Sequence, residues 1–491
     1  MFPRIMGLET EYVLKRNPAV PNQQADDFFI DYRHWLELRA WIPKGVALEN
    51  FSDQQYLKNG GRFYLDNGGH PEYATPEAIS SRDVVRYAKS GDRILWTALT
   101  KANEQWQNER GFAYELYKNN RDSLGNQCGS HHNFLVRRVK DRSAKPEDLV
   151  MALGPFLASA VIFSGSGWID ESGAYELSQR ASAIRHIYST DSTGIDGGRG
   201  LINIRDEALA NDEQYFRFHF IAADANMSES QLFWEFGAMD IVLEMIEEDF
   251  LPKTPFGSFG KYELIPAFHE FASDPTLRRV RNFGRTQMSA VDLQEGYYEW
   301  AVKFLERSGH INDERRRIME IWREMIDCAR SSNPMEALEP YCDYAAKFGV
   351  IHAKVLKRFG DFDGFVIPPC AFNVAKQCDY HYHKLAPDDI AERLLAHGLI
   401  NRIVTEEEIV DAVLAPSSGA CATRAHARAQ QLAWIDNHID PMNSIFIKWE
   451  ETTIRHHTGV DIHTFSNLDP FSPDPHIPHD GNMRHIQSLP A

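Results

Sequence analysis

Gly60-Gly61-Arg62-Phe63-Tyr64-Leu65-Asp66-Asn67-Gly68-Gly69-His70-Pro71-Glu72-Tyr73-Ala74-Thr75-Pro76-Glu77 is the stretch on which the reading of the fold turns. It opens on two glycines and then alternates. Successive side chains of a strand point to opposite faces, so Arg62, Tyr64 and Asp66 share one face while Phe63 and Leu65 take the other. A glycine-rich turn follows, and beyond it come Glu72 and Glu77. A base, a phenol and three carboxylates make a poor core strand and a good wall for a charged ligand. A solvated strand with its hairpin loop satisfies the same pattern, so the stretch alone leaves both readings open.

Working outward, Arg4–Val13 also reads as a strand, with Glu9 and Glu11 on one face. A half-buried strand seldom spends a face on two carboxylates without a cation or a basic partner, although an edge strand with a wet face could. Gly129–Val136 is a further strand, in which His131 and Asn133 share a face and His132 points away. The adjacent histidines therefore cannot chelate one ion side by side. His131 with Asn133 is the functional candidate, and a structural hydrogen-bonded pair is the alternative. Leu177–Arg180 and Leu201–Glu207 read as strands ending in charge, the second carrying Arg205 and Glu207. Tyr215–Ala222 sets Arg217 and His219 against phenylalanines.

Helical periodicity is expected over His34–Ala40, Asp53–Leu57, Arg82–Gln107, 148–164, Phe233–Phe250 as an amphipathic helix, about Ile311–Arg330, and 423–435. Ser228, with Glu229 behind it, is a capping signal for the helix that follows. Residues 1–385 are expected to form a large catalytic domain and 386–466 a small C-terminal one. The tail, 467–491, carries scattered prolines and polar residues and is expected to be poorly ordered. No internal repeat stands out.

The chain has 491 residues, 43% apolar and 25% charged, the composition of a globular protein too long for one ordinary core. A net charge of -18 argues against nucleic acid or an acidic membrane surface as a partner, while leaving room for a local basic pocket. No apolar run approaches the roughly 18 residues of a membrane span, and no signal-peptide pattern opens the chain. The six cysteines are dispersed with no CxxC pair, which fits a reducing, cytoplasmic home.

The polar-faced strands carry Glu9 and Glu11; Arg62, Tyr64 and Asp66; His131 and Asn133; Arg205 and Glu207; Arg217 and His219. One concave sheet lining a site for divalent cations and phosphates explains them together. Carboxylate oxygens suit Mg²⁺, which shares its shell with water and substrate phosphates. Guanidinium groups suit phosphate oxygens through paired hydrogen bonds. Neither GxxxxGK[ST] nor a GxGxxG between strand and helix occurs, so a P-loop or Rossmann site is not indicated.

The motifs Ile5–Tyr12, Asn59–Glu77, Tyr117–Asn120, Gly129–Leu135, Leu177–Arg180, Ile204–Glu207, Asp224–Glu229 and Val242–Glu247 form a co-linear set across about residues 4–450. Weaker matches lie at Asp379, Tyr382, His383 and Thr423–Ala425. In this set the chain resembles the family of prokaryotic ubiquitin-like protein (Pup) ligases and their sister depupylases, among the glutamine-synthetase-like carboxylate–amine ligases. The resemblance implies an α+β fold, a curved antiparallel sheet cradled by helices with a small C-terminal domain. It implies Glu9, Tyr64 and Glu72 as Mg²⁺ ligands, Arg62 and Thr75 as ATP contacts, and Asp66 as the catalytic aspartate. Glu11 joins the metal set, and Arg205, Arg217 and His131 the nucleotide-binding set, from their places on the polar faces. The implied partners are Pup, or a Pup-like modifier ending in Glu, and lysine-bearing proteins.

The chain departs from the family's pattern in three places. His131-His132-Asn133 stands for His-Glu-Asn, and Ala208-Leu209-Ala210-Asn211 for Pro-His-Ala-Asp. Ser444 is aligned with a nucleotide-contacting tryptophan. Only 49 residues separate Glu9 from Asn59 (positions 10–58), closer to the ligases than to depupylases with their long insertion there. A depupylase or deamidase, a divergent nucleotide phosphatase or small-molecule ligase, and a binding-only relative are the other readings.

Overall fold

The computed structural model describes residues 3–17, 30, 32–43, 54–66, 69–121, 126–190, 199–256, 263–283, 286–362, 364–414, 423–439, 443–456, 459 and 461–477. The strands that build and flank the site run in chain order as β1 (Met6–Glu11), β2 (Val13–Asn17), β3 (Gln54–Tyr56), β4 (Arg62–Leu65), β5 (Pro71–Ala74), β6 (Ala113–Tyr117), β7 (Ser130–Arg137), β8 (Trp168–Ile169), β9 (Tyr175–Glu176), β10 (Ile184–Ser189), β11 (Arg199–Asn203) and β12 (Tyr215–Phe220). Eight of them form one sheet in the order β10-β11-β12-β7-β1-β5-β4-β3. Every pair in it is antiparallel except β10 with β11, which is parallel, so the expected antiparallel sheet is mixed at that edge.

Alternation along the central strands gives the sheet two unlike faces. Met6, Leu8, Phe134, Val136, Phe216 and Phe218 are buried in the main apolar core, against the helices Val150–Ser164 and Glu229–Glu247. Glu9, His131, Asn133, Arg217 and His219 stand on the opposite face. The Val150–Ser164 helix, with the turn before it, is long and apolar enough to cross a membrane by composition, yet 72% of that window is buried in the core. The Glu229–Glu247 helix starts where the Ser228 signal puts it, ahead of the periodic stretch from Phe233, with the Ser228 hydroxyl accepting from Gln231 N–H. It is not amphipathic: every residue but Asp240 is buried. It is packed between the sheet and other helices, and two of its acids meet arginines, Glu247 with Arg4 at 2.9 Å and Glu244 with Arg315 at 2.6 Å.

A second core gathers the long helix Ser81–Arg110 against β2, β6 and the Tyr32–Arg39 helix. That long helix is bounded as its sequence dictates, with Ser80 accepting from Asp83 N–H at the start and Gly111 in the left-handed region at φ 74° closing the end. A third, small core joins the helix Arg424–His438 to a sheet of three short strands between Ser444 and Ser466, and Tyr56 enters it from β3.

Several local expectations give way to tertiary contacts. Of the helix expected over Asp53–Leu57, Asp53 lies outside the described residues and Gln54–Tyr56 is a strand that pairs with β4. Leu177–Arg180 is not a strand but a loop, its Gln179 and Arg180 N–H groups and Ser178 hydroxyl all donating to the Asp224 carboxylate. The 201–207 strand stops at Asn203, and Asp206 sits at positive φ. Within the span expected as the small domain, Ala391, Leu395 and Ile400 pack into the second core, and Val404, Ile409 and Ala412 into the first. Part of the tail expected to be poorly ordered is held in place: Asn467 is buried and exchanges hydrogen bonds with Gln431, which also donates to the Pro475 carbonyl. Residues 478–491 lie outside the described residues.

Candidate active site

The polar strands of the sequence are neighbours in the sheet, and their register lines the chemistry up in rows. Tyr64 faces Glu72, which faces Glu11 across β4, β5 and β1. One pleat along, Arg62 and Ala74 are opposite, followed by Glu9 and then His131. The next row sets Gly7, Asn133 and His219 side by side. Strands about 4.8 Å apart bring side chains of one row within reach of each other. Asp66 leaves the end of β4 at the hairpin, where its N–H donates to the His70 carbonyl at 3.0 Å. Gly69, at φ 78°, accepts the left-handed turn that an L side chain resists. Asn67 and Gly68 lie outside the described residues.

Two donor groups result. Glu11, Asp66 and Glu72 each place an oxygen within 4.8 Å of the other two. Burial, reinforced by the charges of Glu9, Glu11 and Asp66, pushes the Glu72 carboxyl well above the usual range. Burial and the adjacent Glu72 likewise keep the Tyr64 phenol protonated. Against the cost of burial, a hydrogen bond from His70 holds the Glu11 carboxyl down at about 2, and carboxylate oxygens grouped in this way are a donor set that fits a hard divalent cation such as Mg²⁺.

The second group is Glu9 with His131 and His219. His131 Nδ1 lies 3.3 Å and His219 Nε2 3.5 Å from Glu9 Oε2. Burial opposes ionisation of Glu9, but the two imidazoles outweigh it and hold the carboxyl well below its ordinary value. Burial holds His219 down at about 4, so it meets Glu9 as a neutral ring. Its Nδ1 and the His131 Nε2 are buried without a hydrogen-bond partner. Of the four residues expected as metal ligands, Tyr64 and Glu72 are paired across β4 and β5, Glu11 joins Glu72 in the oxygen group, and Glu9 stands with the histidines.

A cleft of about 570 Å³ opens beside these groups, lined among others by Gly7, Glu9, Thr75, Asn133, Arg217, Arg424 and Trp449. The Thr75 hydroxyl accepts from Leu8 N–H at 3.0 Å and so is fixed at the wall. Arg217 spans the two regions, 4.0 Å from Glu9 and 3.3 Å from Glu207. The Arg62 guanidinium lies over the Tyr64 ring at 4.1 Å and near Trp449 at 5.7 Å. Arg205 is elsewhere: it is exposed and donates to the Thr190 carbonyl at 2.6 Å. His132 is also apart, on the core face, 3.4 Å from Glu235.

Trp449 and Arg424 are the cleft residues that the strand reading missed. Ser444 does not line the cleft; Trp449, five positions later, does. Arg424 is held there by Glu77 at 2.6 Å, and its neighbour Arg428 grips the other Glu77 oxygen at 2.7 Å. The signal available in the sequence was the spacing of those two arginines, one helical turn apart on one face.

A carboxylate cluster, facing arginines and an open cleft on one side of a sheet define a class of site suited to binding phosphate together with a divalent cation. The sequence model of the family described as "Pup-ligase protein" matches residues 4–453, and the chain belongs to that family. Among its relatives, the Pup–protein ligase of Acidimicrobium ferrooxidans is 34% identical over 434 residues, 87% of this chain and 88% of that protein. The Pup–protein ligase of Mycolicibacterium gilvum is 33% identical over 433 residues, again 87% of this chain and 88% of the relative. Among solved structures, a complex between Pup and its ligase PafA matches with a TM-score of 0.78 and 27% identity, covering 99% of this chain and 92% of that one. The Pup ligase PafA in complex with ADP matches with a TM-score of 0.73 and 27% identity, covering 96% and 97%. The α+β fold is that of these ligases.

Proposed function

We propose that the protein is an ATP- and Mg²⁺-dependent ligase that joins Pup, or a Pup-like modifier, through the side chain of its C-terminal Glu to lysines of other proteins. The observation that carries this reading is the oxygen cluster Glu11, Asp66 and Glu72 standing on the same sheet face as Arg62 and Arg217, beside an open cleft. Family membership supports it. The same reading places the protein in the cytoplasm.

Glu9, Glu11, Tyr64 and Glu72 would hold the cation. When bound, Mg²⁺ neutralises charge on the phosphates. Arg62 and Arg217 bind and orient the phosphate oxygens, whose charge grows as the terminal phosphoryl group moves. Thr75 contributes its hydroxyl at the cleft wall, and Trp449 offers a flat apolar surface for the base. The phosphoryl group passes to the modifier's glutamate carboxylate, releasing ADP and leaving an acyl phosphate. A lysine amine then attacks that carbonyl, phosphate departs, and the isopeptide bond forms. Lysine is protonated at neutral pH, so a base must take its proton before it attacks. We assign that role to Asp66, which is half-buried at the hairpin mouth.

The test incubates the purified protein with Mg-ATP, a Pup-type modifier ending in Glu and a lysine-bearing acceptor. ADP release with a new conjugate band is expected, and Asp66→Asn should abolish conjugation while nucleotide still binds. Cleavage of a preformed conjugate without any joining would instead identify a depupylase. Unchanged turnover in Asp66→Asn would refute the role given to that residue.

A further inference from the structure

A third donor group adjoins the oxygen cluster and differs from it in chemistry. Glu11, His70 and Cys128 each place one ligand atom within 4.8 Å of the other two, and all three side chains are buried. Cys128 Sγ is 3.5 Å from His70 Nε2, and His70 Nδ1 is 3.5 Å from Glu11 Oε2. Glu11 belongs to both this group and the oxygen cluster. The three residues come from β1, the turn before β5 and the loop before β7, so sequence spacing does not announce them.

The surroundings hold these atoms in place. Cys128 N–H donates to the Asn120 carbonyl at 2.9 Å, and the Cys128 carbonyl accepts from Asn120 Nδ2 at 3.0 Å and from the buried Arg180. The thiol is thereby presented from a pinned backbone. The next residue is glycine for a steric reason: a Cβ at position 129 would lie 2.6 Å from both Glu11 Oε1 and His131 Nε2. A buried cysteine often serves only as a small apolar side chain, and Val13 and Tyr117 do pack against this one. Packing alone does not account for a buried imidazole that meets the sulfur through Nε2 and the Glu11 carboxylate through Nδ1.

Hard cations prefer all-oxygen donor sets, whereas a thiolate with an imidazole selects borderline and softer ions. A sulfur about 2.3 Å and a nitrogen about 2.0 Å from one tetrahedral Zn²⁺ stand about 3.5 Å apart, which is the separation found between Cys128 and His70. We propose that Glu11, His70 and Cys128 form a binding site for a thiophilic divalent cation of the Zn²⁺ class, separate from the oxygen cluster and sharing Glu11 with it. Three protein ligands leave one position open, as in exchangeable rather than purely structural zinc sites. His70 also receives the Asp66 N–H on its carbonyl. An ion at this site therefore grips the base of the hairpin that carries Asp66 and draws Glu11 away from the oxygen cluster.

The experiment titrates the full-length, metal-free protein with Co²⁺ as a spectroscopic stand-in for Zn²⁺. One equivalent is expected to give a thiolate-to-cobalt charge-transfer band that excess Mg²⁺ does not remove and Zn²⁺ does. Cys128→Ser should lose the band and weaken cobalt binding at this site at least about tenfold, while Cys370→Ser, an exposed thiol, keeps both. Absence of the band in the wild type, or its persistence in Cys128→Ser, overturns the proposal. X-ray absorption on the zinc-loaded wild-type protein gives the answer without a variant. One sulfur in the zinc shell is expected, and a shell of nitrogen and oxygen alone overturns the site.

Discussion

Glu72 and Glu77 lie five residues apart, both buried, and their surroundings are opposite. Glu77 is gripped by two guanidinium groups, Arg424 at 2.6 Å and Arg428 at 2.7 Å. Against the cost of burial, those two charges hold its carboxyl down at about 2. Glu72 is buried among Glu9, Glu11 and Asp66, and burial with those charges pushes it well above the usual range. The first is a clamp that fastens the Arg424–His438 helix to the sheet; the Arg428 guanidinium also donates to the Gly60 carbonyl. The second is an acid set among other acids. A buried carboxylate matched in charge reports architecture, and one left among its own kind reports a place kept for a ligand.

The comparison breaks if the two acids respond alike to mutation. Glu72→Gln is expected to lower turnover on the order of 10³-fold, the scale of losing one preorganised charge at a reacting phosphate, while the metal-free protein melts no earlier than wild type. Steady-state ADP release and a thermal melt check the two halves. Glu77→Gln is expected to do the reverse. It strands two buried arginines and costs about 3–5 kcal/mol of stability by denaturant unfolding, and the protein that remains folded keeps its turnover.

The pH dependence sharpens the contrast. Glu77 has its folded-state value depressed from 4.5 to about 2. Its contribution is therefore complete above the unfolded value near 4.5 and is lost as pH falls toward 2. By linkage that amounts to about 3 kcal/mol. Unfolding followed across that window should show a loss larger in wild type than in Glu77→Gln by about that amount. The smallest effect expected is at the cleft. Trp449→Ala should raise the KM for ATP about tenfold through the loss of about 1–3 kcal/mol of base stacking, with kcat little changed; initial rates against ATP concentration measure it.

The sequence by itself determined which side chains share a face of one strand. Arg62 with Tyr64, Glu9 with Glu11, His131 with Asn133 and Arg217 with His219 follow from a two-residue period that the covalent chain enforces. Ser228 likewise announced its helix, because a cap is satisfied within one turn. Tertiary structure alone decided which strands are neighbours. The sheet sets β12, β7, β1, β5 and β4 side by side, and that order rests on hydrogen bonds between residues far apart in the chain. For that reason Arg205, read as a strand residue, falls outside the site, while Trp449 and Arg424, from the far end of the chain, enter its cleft. Leu177–Arg180 was legible as a motif but not as a loop, since the Asp224 carboxylate that shapes it comes more than forty residues later. Local geometry is written in the spacing of residues; the partners that make a charge structural or functional are supplied only when the chain closes on itself.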